Sequence, residues 1–171
     1  TIVGTVPGGM GHANIICSMM FAGMSGTAVA DAGGLGNIEI QAMRDVGYDD
    51  DFSCAVTAAS SVLGPIIPPS LPMVILSVTV GASTGRCFVG GIMPGILMAL
   101  TMGIMVSYYA HRRHYPRNPR PTKAVLWKAF HEAIWALLAP VILFVAIYTG
   151  IVTTTEAAIV ASLYALLIGL F

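Results

Sequence analysis

Charge is what this sequence has least of. Only 9% of its 171 residues are Asp, Glu, Lys or Arg, against 56% hydrophobic residues, and eight acids balance eight bases. A water-soluble domain carries about 25% charged residues, so a soluble globular fold is excluded. Zero net charge gives no footing for nucleic acid as a partner. Cysteine is scarce too. Cys17, Cys54 and Cys87 are odd in number and set in apolar sequence, so they are expected to be buried thiols packing as small hydrophobes rather than a disulfide or a metal site.

What is present is apolar length. The uncharged runs are 1–30, 52–85, 87–110, 133–155 and 157–171. The middle three each exceed the roughly 20 residues needed to cross a bilayer core. The chain reads as an all-α polytopic membrane protein. It also reads as a fragment, since it starts at Thr1 without an initiator Met and stops at Phe171 inside an apolar run.

The bases Arg112, Arg113, Arg117, Arg120, Lys123 and Lys128 cluster beside Pro116, Pro119 and Pro121, which marks a hydrophilic connection. The positive-inside rule puts that connection in the cytoplasm. The expected organisation is then a re-entrant hairpin over 1–43, a cytoplasmic loop at 44–52 and a broken transmembrane helix at 53–82. A transmembrane helix follows at 88–110, then the basic cytoplasmic loop at 111–132, another span at 133–152 and the start of a further helix at 155–171. Trp127, Lys128, Phe130, His131 and Trp135 suit an interfacial helix or an ordinary aromatic belt equally. Gly81/Gly85 and Gly91/Gly95 have the spacing of close helix contacts, but with 19 glycines such pairs arise by chance and carry no functional weight. Thr153 and Glu156 are spaced as a capping box, preferred to an ion-path carboxylate because Glu156 falls near the outer surface.

The informative stretch runs from Ser60 to Pro72, with Pro65, Pro68, Pro69 and Pro72 inside a 34-residue uncharged run. A continuous helix of that length would be about 51 Å long, far beyond the hydrocarbon thickness. Each internal proline removes one amide and clashes with the carbonyl four residues earlier. The carbonyls left without helical partners are those of Ser61, Gly64, Pro65 and Pro68. In lipid they need a partner, and a dehydrated Na⁺ caged with hydroxyls of Ser60, Ser61 and Ser70 is a good one. Ser70 is a plausible N-cap, with Pro72 in the first turn, for a second half-helix whose free amides favour an anionic group.

Ser25-Gly26-Thr27 interrupts the preceding apolar stretch so that each arm is too short to span alone, which predicts a re-entrant hairpin with its tip there. Asp31 is the sole acid before residue 38 and reads as a cation partner or as a brace for the hairpin. His12 and Asn14 are expected to lie solvated near the interface. Met19, Met20 and Met24 are expected to be packing filler.

Together, Ser25-Gly26-Thr27-Ala28-Val29-Ala30-Asp31, Gly36 with Ile38-Glu39-Ile40, Met43, Gly47-Tyr48, Ala58-Ala59-Ser60-Ser61 and Gly64-Pro65-Ile66-Ile67-Pro68-Pro69-Ser70 resemble the large membrane subunit of TRAP (tripartite ATP-independent periplasmic) transporters. Thr155-Glu156-Ala157-Ala158 and Tyr164-Ala165-Leu166-Leu167 resemble that family's next block. The resemblance implies an elevator-type ion-transporter fold of two inverted repeats, this chain holding the first and the start of the second. It implies Na⁺-coupled uptake of an organic anion (a C4-dicarboxylate, sialic acid or similar carboxylate) across a bacterial inner membrane. Its implied partners are a periplasmic solute-binding protein and a small membrane (Q) subunit. Carried over, the Na⁺ ligands would come from Ser25, Gly26, Thr27, Ser60, Ser61, Gly64, Pro65 and Pro68. Substrate would meet Ser25, Thr27, Pro69 and Ser70, with Asp31 a possible ion partner. The sequence departs from the family pattern, which often has Ser at Thr27 and Pro at Thr154. The second repeat's hairpin and break are expected beyond Phe171.

No organic cofactor, no metal besides Na⁺ and no catalytic chemistry are expected. Two rivals predict other things. A symporter of related fold would need no solute receptor. A membrane anchor subunit of an enzyme complex would need haem or quinone ligands, yet His111, His114 and His131 lie in or beside the polar loop.

Overall fold

Glycine, serine and proline punctuate an otherwise helical chain. The computed structural model describes residues 8–115, Trp127, His131, 133–135, 138–139, 141–142, 145–147, 149 and 152–170. The seven helices with defined bounds are α1 (Gly9–Ser25), α2 (Ala28–Gly34), α3 (Gly36–Asp45), α4 (Asp50–Ser61), α5 (Leu71–Val80), α6 (Thr84–Arg112) and α7 (Thr154–Leu170). No strand occurs among the described residues, so the protein is all-α as far as it is described. The basic loop expected at 111–132 lies mostly outside the described residues. The described residues between 133 and 147 are helical, and much of the 133–152 segment falls outside them.

The chain divides into a unit over Thr1–Pro121 and another over Thr122–Phe171. In the second unit, α7 opens on the capping box. Thr153 N donates to Glu156 Oε2 at 2.7 Å and Glu156 N returns to Thr153 Oγ1 at 3.4 Å. Tyr164 Oη donates to the Trp135 carbonyl at 2.8 Å.

The first unit is built around α1, α4 and α6. Its core is Ile15, Met43, Tyr48, Phe52, Val56, Leu63, Val106, Ala110 and Tyr115. Tyr48 stacks on Tyr115 with ring centroids 4.3 Å apart, and Phe52 tilts against Tyr115 at 5.2 Å. The polar end of this core is tied by Asp49, the extended N-cap of α4. Its Oδ2 accepts from Tyr115 Oη at 2.7 Å and from Arg113 Nη1 at 2.9 Å. The Tyr115 hydrogen bond first, and Arg113 second, hold the Asp49 carboxyl below the usual carboxylate range. Arg44 pairs with Asp50 through two bonds of 2.7 and 2.9 Å.

Among the described residues, α6 is the one helix both long and apolar enough to cross a membrane. Its 29 residues would rise about 44 Å. Met93, at 80% exposed, and Ile104, Leu97 and Leu100 leave an apolar outer stripe of the kind lipid or further protein covers. Its inner side carries two small residues with a definite job. A methyl group at Gly91 would meet the Met73 side chain and lie 2.6 Å from the Ile66 carbonyl oxygen. One at Gly95 would lie 2.6 Å from Ile67 Cγ1. The broken segment therefore seats directly on α6 through Gly91 and Gly95, and the reading of that pair as a chance spacing is corrected. Gly81 has nothing within 4 Å, so for Gly81/Gly85 it stands.

Two further expectations are overturned. Asn14 is 3% exposed and His12 half-buried rather than solvated. Both face neighbouring helices: Asn14 bonds to α4, and the His12 Nε2 lies 2.9 Å from Ser107 Oγ of α6. Conversely, Cys17 and Cys54 are exposed and Cys87 half-buried, all three as free thiols. Their positions on the outward arcs of α1, α4 and α6 outweigh the apolar context that suggested burial.

Candidate ion and solute site

α1 ends where Gly26 takes the left-handed conformation (φ 61°) and returns its amide to the Ala22 carbonyl at 3.0 Å. A residue with φ in that region is cheap only as glycine. Thr27 then re-enters extended backbone and caps α2, its Oγ1 accepting from Ala30 N at 3.3 Å. The Ser25 hydroxyl donates to the Thr27 carbonyl at 3.4 Å. Residues 25–27 thus form a tight corner between two helices.

The second component begins at Ser61. Instead of unwinding fully, the chain makes successive tight turns, with Gly64 N donating to Ser61 O at 3.0 Å, and Ile66 N and Ile67 N to Leu63 O at 3.1 and 2.7 Å. The Pro68–Pro69 peptide bond is cis. Ser70 restarts the helix as N-cap of α5, its Oγ accepting from Met73 N at 3.4 Å and donating to Pro65 O at 2.6 Å. Of the four carbonyls freed by proline, Ser61 and Pro65 therefore have protein donors. No hydrogen bond to the Gly64 or Pro68 carbonyl is found among the described residues.

Corner and break interlock through two glycines. A methyl group on Gly26 would sit 2.9 Å from Leu71 N, 2.9 Å from Pro69 O and 3.3 Å from Ser70 Cα. One on Gly64 would sit 3.1 Å from Thr27 O and 3.2 Å from Ser61 O. The carbonyl oxygens of Thr27 and Ser61 therefore both border Gly64, while the Leu71 amide and Pro69 carbonyl border Gly26. The arrangement offers backbone oxygens to a cation and, at the first turn of α5, an amide to an anion.

Each anticipated residue can now be located. Ser25, Gly26, Thr27, Ser61, Gly64, Pro69 and Ser70 come together at this junction. Pro65 joins through its bond to Ser70, and Pro68 is buried within the same turn. The Ser60 hydroxyl does not serve it. Ser60 Oγ donates to Asn14 Oδ1 at 2.7 Å and receives Ser18 Oγ at 2.9 Å, while Asn14 Nδ2 donates to Thr57 Oγ1 at 2.7 Å. This buried neutral network fastens α1 to α4 behind the corner. The sequence carries a signal for it: Asn14 and Ser18 are four apart and Thr57 and Ser60 three apart, so each pair shares a helix face. Asp31 lies one turn beyond Thr27, its amide bonded to the Thr27 carbonyl at 3.3 Å, and is 1% exposed.

A corner and a proline break locked backbone to backbone frame a candidate site without identifying its lineage. Comparison with known proteins does. Residues 1–171 match the family described as "Tripartite ATP-independent periplasmic transporter, DctM component". The chain belongs to this family. The "Sialic acid TRAP transporter permease protein SiaT" of Haemophilus influenzae is 46% identical over 171 residues, covering all of this chain and 28% of that protein. "Sialic acid TRAP transporter large permease protein SiaM" of Vibrio cholerae is 45% identical, covering 99% of this chain and 40% of that protein. "C4-dicarboxylate TRAP transporter large permease protein DctM" of Vibrio cholerae is 39% identical, covering 99% and 38%. The chain thus spans between about a quarter and two-fifths of the length of these TRAP permeases.

Proposed function

We propose that this chain forms part of the permease subunit of a TRAP transporter, bringing an organic anion into a bacterium across the inner membrane with Na⁺ as coupling ion. The interlock at Gly26 and Gly64 carries the reading, because it packs a hairpin corner against a broken helix through backbone oxygens and an amide. Na⁺ is held by carbonyls around Thr27, Ser61, Gly64 and Pro68, assisted by Ser25, with Asp31 as a nearby counter-charge. A substrate carboxylate meets Ser25, Thr27, Pro69 and Ser70 at the first turn of α5, where free amides favour negative charge. Bound Na⁺ brings the corner onto the break, and the loaded pair moves together in alternating access as part of an elevator fold. A periplasmic binding protein delivers the anion and a small membrane subunit supports the moving part. The anion belongs to the carboxylate class that relatives named for sialic acid and C4-dicarboxylates carry.

Thermal unfolding of the full-length permease in NaCl against KCl and choline chloride tests this. A ligand bound only by the folded state raises the apparent unfolding temperature by mass action. A saturable rise specific to Na⁺, lost in Ser61→Ala or Ser25→Ala, is the expected result. Equal melting in the three salts would leave the break a structural kink.

A further inference from the structure

Asp31 is buried almost completely, and neither of its carboxylate oxygens has a hydrogen-bond partner. The Ser18 hydroxyl beside it is committed to Ser60 at 2.9 Å. Glu39 repeats the situation, with Oε1 buried and unpartnered on a half-buried side chain. The two acids belong to one line. Leu35 N donates to Asp31 O and Glu39 N donates to Leu35 O, both at 3.0 Å, so helical geometry carries through the junction of α2 and α3. They therefore stand two turns apart, about 12 Å along the axis. Each lies within electrostatic reach of the Cys17 side chain on α1, and Glu39 within reach of Asp31.

Among the described residues no ion pair reaches either carboxyl. Arg44 is held by Asp50 and Arg113 by Asp49. A carboxylate in an apolar surrounding without a counter-charge either takes up a proton or recruits a cation, and inside a membrane such groups mark ion pathways. Among the described residues no three of His, Cys, Asp and Glu gather as a multivalent metal would need. Single carboxylates spaced two turns apart suit a monovalent ion passed from one to the next.

We infer that Asp31 and Glu39 are successive stations of a monovalent-cation path running along α2 and α3 between the corner at Gly26 and the loop that joins α3 to α4. The path rests on the proposed Na⁺ site at the corner, to which it gives access from the loop side. Asp31, one turn from Thr27, is the inner station, and Glu39 is the outer one.

Exchange of radiolabelled Na⁺ by the full-length permease in proteoliposomes tests it, with the unfolding temperature of each variant in KCl as the control for folding. Glu39→Gln is expected to slow exchange about tenfold, the scale of losing one partly screened charge on a path. Glu39→Asp, which keeps the charge, is expected to restore most of the rate, and Asp31→Asn to stop exchange. Wild-type exchange in Glu39→Gln overturns the path. So does a slowing that Glu39→Asp leaves unrepaired, because packing rather than charge would then be at fault. Ser61→Ala separates the two readings. If Ser61→Ala exchanges Na⁺ normally, the corner site itself fails. If Ser61→Ala is inactive while Glu39→Gln matches wild type, the path alone fails.

Discussion

Adding one methyl group at Gly26 probes the junction most sharply. Two separate penalties act there. The left-handed φ of 61° costs an L-residue about 1–2 kcal/mol. The new Cβ would also press on Leu71 N and Pro69 O, each 2.9 Å away, and backbone atoms on both sides of the contact have little room to retreat. Overpacking of this kind costs about 1–3 kcal/mol. The sum, roughly 2–5 kcal/mol against the closed junction, raises half-saturating Na⁺ by at least about 30-fold. The assay is the Na⁺ dependence of the unfolding temperature of full-length Gly26→Ala. Gly26→Asn divides the penalties, since Asn tolerates the left-handed region but still carries a Cβ. Both variants are expected to lose the Na⁺ response if the contact governs, whereas Asn alone recovers it if φ governs. Gly33→Ala, with nothing within 4 Å of the added methyl, is the matched control and is expected to be neutral or slightly stabilising. A Gly26→Ala protein with a wild-type Na⁺ midpoint refutes the interlock.

Asn14→Leu removes the partner of both Thr57 and Ser60 and leaves buried hydroxyls with lost bonds, about 1–3 kcal/mol for each, read as a fall in the denaturant midpoint. Gly91→Val collides with the Ile66 carbonyl and the Met73 side chain and is expected to abolish stable expression, while Gly90→Ala, facing open space, is expected to express normally. The latch at Asp49 predicts a pH dependence. Its folded-state pKa is depressed, so its stabilisation is present above the ordinary carboxylate value and disappears as pH falls through the lower folded value. The unfolding temperature of the wild type should therefore drop more steeply below about pH 4 than that of Asp49→Asn. Parallel curves would dismiss the latch.

What the sequence reveals about this protein depends on the range of the force involved. A proline deletes its own amide whatever surrounds it, so the break at Pro65, Pro68 and Pro69, and the restart at Ser70, are legible locally. So is the capping box at Thr153 and Glu156. Which oxygen a freed carbonyl meets is a tertiary matter. Nothing in the string of letters says that Ser70 returns to Pro65, or that Ser60 turns to α1 instead of the corner. Asn14 misled for the same reason, since an amide expected near the membrane interface looks solvated until another helix covers it. Gly91 and Gly95 were drowned by the abundance of glycine. Only the approach of Ile66 and Ile67 distinguishes them from Gly81, whose surroundings are open.

The fastening of α1 to α4 has a bearing on membrane voltage. Asn14, Ser18, Thr57 and Ser60 are all neutral, so a transmembrane potential exerts no net force on the network that holds these helices together. A full charge crossing the membrane would experience about 2.3 kcal/mol per 100 mV. Of the described side chains around the corner, only Asp31 and Glu39 can carry such a charge. An ion seated beside them would cancel what the field acts upon. With such an ion bound, electrical sensitivity in this part of the protein would report its occupancy and not the mechanical joint between the helices.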